Sequence, residues 1–253
     1  MDLSLLTYNI RIGTFNPFGL EGVARVIERL RPDIAGLQEV HVYANASGPV
    51  DQPRWLAERL NYEAVFGAAR DVPPQIVPGQ IGQFGNALLS RFPVIATETH
   101  LLPRPSEDDE QRAVLATRLE TPAGQLNVFV THWSLLPEHR AEQVVATLNL
   151  IEQWSGGGPS VLMGDFNALP DAPEIAALRE HLTDLWEATA TPLEARISFP
   201  AGPKGTIIPN GWTAALDYIF TSRDITPRKI EVIYDETLAS DHNPVLATIQ
   251  SGV

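Results

Sequence analysis

The chain has no cysteine, only two lysines (Lys204 and Lys229) and no long uninterrupted apolar run. Without cysteine there are no disulfides, no thiolate metal ligands and no thiol nucleophile, which removes zinc knuckles and cysteine enzymes while saying little about compartment. A bilayer-crossing helix needs about 18 consecutive apolar residues, so no membrane span is expected. The lysines and sixteen arginines face 31 acidic residues, for a net charge of −13. A protein that tracks duplex DNA offers a basic stripe to the phosphates. No such stripe is visible, which lowers the expectation of a nuclease; arginines could still gather on one face after folding. The opening MDLSLLTY lacks a basic segment and a small-residue cleavage site. It reads as a first strand, so the expectation is a cytoplasmic protein, with secretion open only through a trimmed leader.

What is present is ordinary for a globular protein: 44% hydrophobic and 19% charged residues over 253 positions, enough for one large domain. There is no internal repeat and no linker, so residues 1–253 are expected to form a single domain. Strand patterns fall at 3–10, 33–37, 63–68, 86–90, 94–101, 113–119, 126–132, 160–163, 216–221, 228–233 and 245–249. Helical spacing appears at 22–30 (GVARVIERL), 53–60, 138–154 and 173–179, the third closed by three glycines. Two irregular stretches, 71–84 and 196–212, interrupt the pattern. Many strands with a few helices joined by short links predict two packed sheets with helices outside.

Two short motifs carry the chemical suggestion. Gly164-Asp165-Phe166-Asn167 follows the apolar strand VLM, and on extended backbone Asp165 and Asn167, two apart, aim at the same side. Aspartate can take a proton from water while a carboxamide holds a phosphoryl oxygen. The bland alternative, an Asx-turn before Ala168-Leu169-Pro170, is equally good for this fragment alone. Ser240-Asp241-His242-Asn243-Pro244 would splay Asp241 and His242 apart on a strand but lets them converge in a turn. Asp241 suits a hard cation and His242 a phosphate oxygen or a carboxylate partner; taken alone, the segment is a polar turn. Glu39 closes the apolar stretch IAGLQ, where a carboxylate is a credible Mg²⁺ or Mn²⁺ ligand. His132 follows the strand LNVFVT. Asp217, inside the apolar LDYIF, needs a partner, and a histidine is the natural one. Asn9 is likewise a polar residue at the end of a core strand. Arg112 opens a strand after the acidic run 107–110, itself read as a solvated loop. Arg140 and Gln143, on the third helix, either face solvent or tie to a neighbouring loop.

In that order, Asn9, Glu39, Asn86 with Ser90-Arg91-Phe92-Pro93, His132, Asp165 with Asn167, Asp217 and Asp241-His242 resemble the endonuclease/exonuclease/phosphatase superfamily, specifically its compact bacterial metal-dependent hydrolases. The likeness runs from Thr7 to Pro244, and GDFN, LDYIF and SDHNPV in sequence make it specific. It implies a four-layered α/β sandwich of the DNase I type, with two mainly antiparallel sheets flanked by helices and a site at one end. It implies one or two Mg²⁺ or Mn²⁺ ions held by Glu39, Asp241 and Asn9. Asp165 would activate water, Asn167 and Asn9 would hold the phosphate, His132 and His242 would contact phosphoryl oxygens, and Asp217 would fix the His242 ring. Asn86, Arg112 and Arg11 complete the substrate-binding set. Some AP endonucleases have an acidic residue where Arg11 stands here; the arginine removes a metal ligand and suits an extra anionic group on the substrate.

The expected activity is metal-dependent hydrolysis of a phosphodiester, or a phosphomonoester, by in-line attack of water. The acidic balance favours a small molecule or lipid head group over nucleic acid, and a monomer is expected. A DNA or RNA nuclease is the rival enzyme, and a catalytically silent binding domain the rival of another kind. Phe199, Lys204 and Trp212 precede Asp217 in a loop suited to shaping a substrate pocket, with core packing the alternative for the two aromatics.

Overall fold

The computed structural model describes residues 1–202, 213–234 and 238–250. Twelve strands occur among them: β1 (Asp2–Asn9), β2 (Ile34–Val42), β3 (Glu63–Asp71), β4 (Gln83–Ser90), β5 (Val94–Leu101), β6 (Ala113–Thr121), β7 (Gly124–His132), β8 (Ser160–Asp165), β9 (Thr183–Asp184), β10 (Asp217–Thr221), β11 (Thr226–Val232) and β12 (Val245–Gln250). The helices are α1 (Gly19–Leu30), α2 (Gln52–Leu60), α3 (Pro137–Ser155), α4 (Pro173–His181) and α5 (Leu185–Ala188).

The strands form two six-stranded sheets, ordered β11-β12-β1-β2-β4-β3 and β5-β6-β7-β8-β10-β9. Every neighbouring pair is antiparallel except one at the centre of each sheet, β1 with β2 and β7 with β8. Parallel neighbours end on the same side. Asn9 therefore lies opposite Gln38, and His132 opposite Asp165. The sheets face each other through β1 and β8 and through β2 and β7, so both sets of strand ends meet at one end of the sandwich.

Alternation along β1 explains the layers. Leu3 and Leu5 belong to the core between the sheets, whereas Leu6 and Tyr8 join Val23, Val26, Ile27 and Leu56 of α1 and α2 in an outer layer. Asn9 falls on the odd, inter-sheet face. On the other side, Val144, Ile151, Ile175 and Leu178 of α3 and α4 complete the larger core. At Gly36 the sheets approach closely: a Cβ there would lie 2.7 Å from Met163 Sδ and 3.0 Å from Val130 Cγ2. Among the described residues no helix is long and apolar enough to cross a membrane.

The expected strands and helices are all present, several longer than their sequence pattern. The largest difference is β2, which continues past Leu37 to Val42 through a register shift between Leu37 and Val40. The short β9 and α5 carried no periodic signal. Lys204 and Trp212 lie outside the described residues.

Candidate active site

The polar residues of the sandwich end converge on Asp165. Its Oδ2 lies 3.0 Å from Asn9 Nδ2, 3.7 Å from His132 Nε2 and 3.6 Å from His242 Nε2. Its Oδ1 accepts the backbone N–H of Asn167 at 3.0 Å. Asn167 has left-handed backbone (φ 48°), and its amide donates to Trp133 O at 3.0 Å. The motif is thus an Asx-turn and a chemical group at once, one oxygen of Asp165 serving each. Phe166 points the other way into the core, packing edge-on against Trp133 at 4.7 Å and Tyr218 at 5.5 Å.

Asp217 pairs with Asp165 across β10 and β8 and is fully buried. Its Oδ2 meets His242 Nδ1 at 2.8 Å, the partner that a carboxylate inside an apolar strand requires. The Ser240–His242 segment is drawn in by Ser240 Oγ, which donates to Asn9 O at 2.6 Å. The ring of Phe199 lies 5.0 Å from that of His242 and lines the cleft.

Glu39 arrives by a different device. Alternation along β2 would send it to the helix-covered face, but Glu39 is left-handed (φ 53°) at the register shift. Such a bulge re-aims a side chain, and Asn9 Nδ2 reaches Glu39 Oε1 at 3.0 Å. Asn9, fully buried, therefore braces Glu39 and Asp165 together and does not line the cleft. Arg11 Nη1 lies 3.4 Å from Glu39 Oε2, and Arg11 Nε lies 3.4 Å from Asp241 Oδ2.

The donor chemistry fits a divalent cation at Glu39 and Asp241. Both offer carboxylate oxygens, which hard ions prefer, and a guanidinium already sits between them as a cationic stand-in. Asp165, Asp217 and His242 form a second acidic/histidine group with ligand atoms within 4.8 Å of one another. There the 2.8 Å bond between Asp217 and His242 Nδ1 makes a carboxylate–imidazole pair the better description.

The two histidines facing Asp165 are tuned in opposite senses. Burial pushes His132 well below its ordinary value, with the Arg112 guanidinium beside it adding to the effect, so it is neutral. Burial alone would push His242 down too, but the carboxylates of Asp217 and Asp165 outweigh it and hold it up at about 10. Burial raises Asp165 above the usual carboxylate range, opposed by His242. Groups pushed apart in this way are the signature of assigned acid and base roles.

Glu39, Arg112, His132, Asp165, Asp241 and His242 are among the residues lining one cleft of about 820 Å³, as are Arg11 and Asn167. Asn86 is not. It is buried, and its amide donates to Ala113 O at 2.9 Å and Val130 O at 3.4 Å, tying the two sheets together. Arg112 Nη1 lies 3.1 Å from both ring nitrogens of His132.

The acidic run 107–110 is only half solvated. Glu107 and Asp108 are exposed, but Asp109 has a buried side chain, 3.3 Å from Arg112, and accepts from Ser134 Oγ and Leu135 N. Burial raises its carboxyl, yet Ser134, the Glu110 N–H and Arg112 more than offset this and keep it below the usual range. Arg140 and Gln143 are buried and tie to the neighbouring loop, Arg140 to the carbonyls of Ser134 and Leu135 and Gln143 to Ser134 N. His41, Arg70 and Phe84, which the sequence motifs did not mark, also line the cleft, as does Glu110 of the acidic run. There Arg70 packs over Phe84 at 4.9 Å and pairs with Glu110. The signal for His41 was its position two after Glu39.

The endonuclease/exonuclease/phosphatase family profile matches residues 6–242. The chain belongs to that family. A family protein from Beutenbergia cavernae superposes with a TM-score of 0.77 at 26% identity, covering 99% of this chain and 72% of that one. YbhP, an uncharacterized protein of Escherichia coli K12, is 29% identical over 179 residues, 66% of this chain and 67% of YbhP. Exodeoxyribonuclease III of Haemophilus influenzae is 28% identical over 184 residues, 68% of this chain and 60% of that enzyme. Members of this family are hydrolases of phosphoester bonds.

Proposed function

We propose that the chain is a divalent-metal-dependent phosphodiesterase acting on a small molecule or a lipid head group. The observation that carries the reading is the buried Asp165, braced by Asn9 and flanked by a neutral His132 and a charged His242. In this reading a water beside Asp165 attacks phosphorus in line with the departing alkoxide. The water's proton passes to the Asp165 carboxylate as the new P–O bond forms and the ester P–O bond breaks. His242, held by Asp217, donates to a phosphoryl oxygen, stabilising the charge that grows there. His132 and Arg112 flank the same group. Mg²⁺ or Mn²⁺ at Glu39 and Asp241 would polarise the phosphoryl group and acidify water.

The substrate class rests on charge and on what rims the cleft. Arg11, Arg70 and Arg112 each already face a carboxylate: Glu39 and Asp241, Glu110, and Asp109 respectively. A DNA backbone would have to compete for them, and the net charge of −13 opposes its approach. Leu135, at the cleft, is 64% exposed, which suits an apolar substituent. The likeness to exodeoxyribonuclease III supports a nuclease as the second reading. We take the protein to act as a single-domain, monomeric, cytoplasmic enzyme. Assays with Mn²⁺ on bis-p-nitrophenyl phosphate, p-nitrophenyl phosphate, dispersed phospholipid and supercoiled plasmid separate these readings. Turnover of the diester or the phospholipid without nicking is expected; nicking as the fastest reaction would replace the proposal by the nuclease.

A further inference from the structure

The position of Arg11 is built into the backbone and is not the chance reach of a long side chain. Arg11 and Ile12 both have left-handed backbone, φ 47° and 52°, a conformation that non-glycine residues hold only when their surroundings impose it. Three bonds do so here. Arg11 N donates to Asn9 Oδ1 at 3.0 Å, Gly13 N to Ile10 O at 2.8 Å, and the buried Gln52 through Nε2 to Ile12 O at 2.6 Å. The same Asn9 that fixes the Arg11 backbone also holds Glu39. One amide therefore sets both the carboxylate and the cation placed against it.

We propose that Arg11 is an internal counter-ion that competes with the divalent cation for Glu39 and Asp241, and so sets the protein's metal affinity. The proposal rests on the metal-dependent reading above. The guanidinium spans both carboxylates, at 3.4 Å each, while its side chain stays 54% exposed. An incoming ion takes the same oxygens, and the guanidinium can leave into solvent without burying its charge. The protein thus binds metal more weakly than the bare pair of carboxylates would, and gives it up more readily.

The test is substrate-free titration of the whole protein with Mn²⁺ and with Mg²⁺ by calorimetry, for wild type, Arg11→Gln, Arg11→Lys and Glu39→Gln. Two partly exposed ion pairs are weak, so Arg11→Gln should bind about three- to tenfold more tightly. Arg11→Lys, which keeps the charge, should stay near wild type, and Glu39→Gln should lose binding. Equal or weaker binding by Arg11→Gln, with Glu39→Gln impaired, overturns the role of Arg11 and leaves the metal centre standing. Binding unaffected by Glu39→Gln, or no binding by any variant, overturns the metal centre and the proposal with it.

Discussion

Replacing Asp217 by asparagine lowers activity and stability together. Asp217 is fully buried; one oxygen holds His242 at 2.8 Å, and the other, Oδ1, has no hydrogen-bond partner among the described residues. With the charge gone, the main force raising His242 is lost, while burial continues to push its value down. Asp165, at 3.6 Å, is the remaining opposing carboxylate at contact distance. At neutral pH the imidazole then loses its proton and with it the charged donor to the phosphoryl group. Loss of one such donor costs about 10²–10³ in kcat, or about 2.7–4 kcal/mol of transition-state stabilisation. The fold should lose stability as well, because removing one partner of a buried ion pair costs about 3–5 kcal/mol. The assay is kcat and KM on the diester with saturating Mn²⁺, beside a urea melt. We expect kcat down by about 10²–10³, with unfolding moved to lower urea. A variant within about threefold of wild type, well below the loss of a charged donor, would rule out this role for the Asp217–His242 pair.

Two further outcomes concern the scaffold. Gly36→Ala places a methyl group against Met163 and Val130 across the sheets, so urea unfolding should show a loss of about 1–3 kcal/mol, recovered in part by adding Met163→Ala. Burial and the Arg70 charge lower His41 from 6.5 to about 4, so between those values the unfolded chain binds the extra proton. Its contribution is whole above about pH 6.5 and falls away toward pH 4. A His41→Gln variant whose stability declines as steeply over that window would show the histidine to be irrelevant.

Much of the site could be read from the chain because its polar residues sit where apolar ones are expected. Asp217 in LDYIF demanded a partner, and His242 supplies it. Asn9 ended a core strand and proves to be the brace of the site. What was hidden depends on backbone twists and on contacts distant in sequence. The β2 bulge that turns Glu39 inward has no local marker beyond an ordinary Gln-Glu pair. Asp109 looked like its exposed neighbours, and only the meeting with Arg112 and Ser134 sets it apart. The amide of Asn86 looked available to substrate, but the close approach of the sheets engages it with two carbonyls. The placement of Arg11 between two carboxylates follows from left-handed residues, a conformation that Arg-Ile does not announce.

In the proposed reaction, Asp165 and a divalent ion act together on a phosphodiester. The most direct measurement is the hydrolysis rate of bis-p-nitrophenyl phosphate by wild type and Asp165→Asn, each after chelation and after Mn²⁺ is restored. We expect turnover that chelation abolishes and Mn²⁺ restores in wild type, with Asp165→Asn inactive throughout. Hydrolysis that survives chelation, or an Asp165→Asn variant at the wild-type rate, would contradict it.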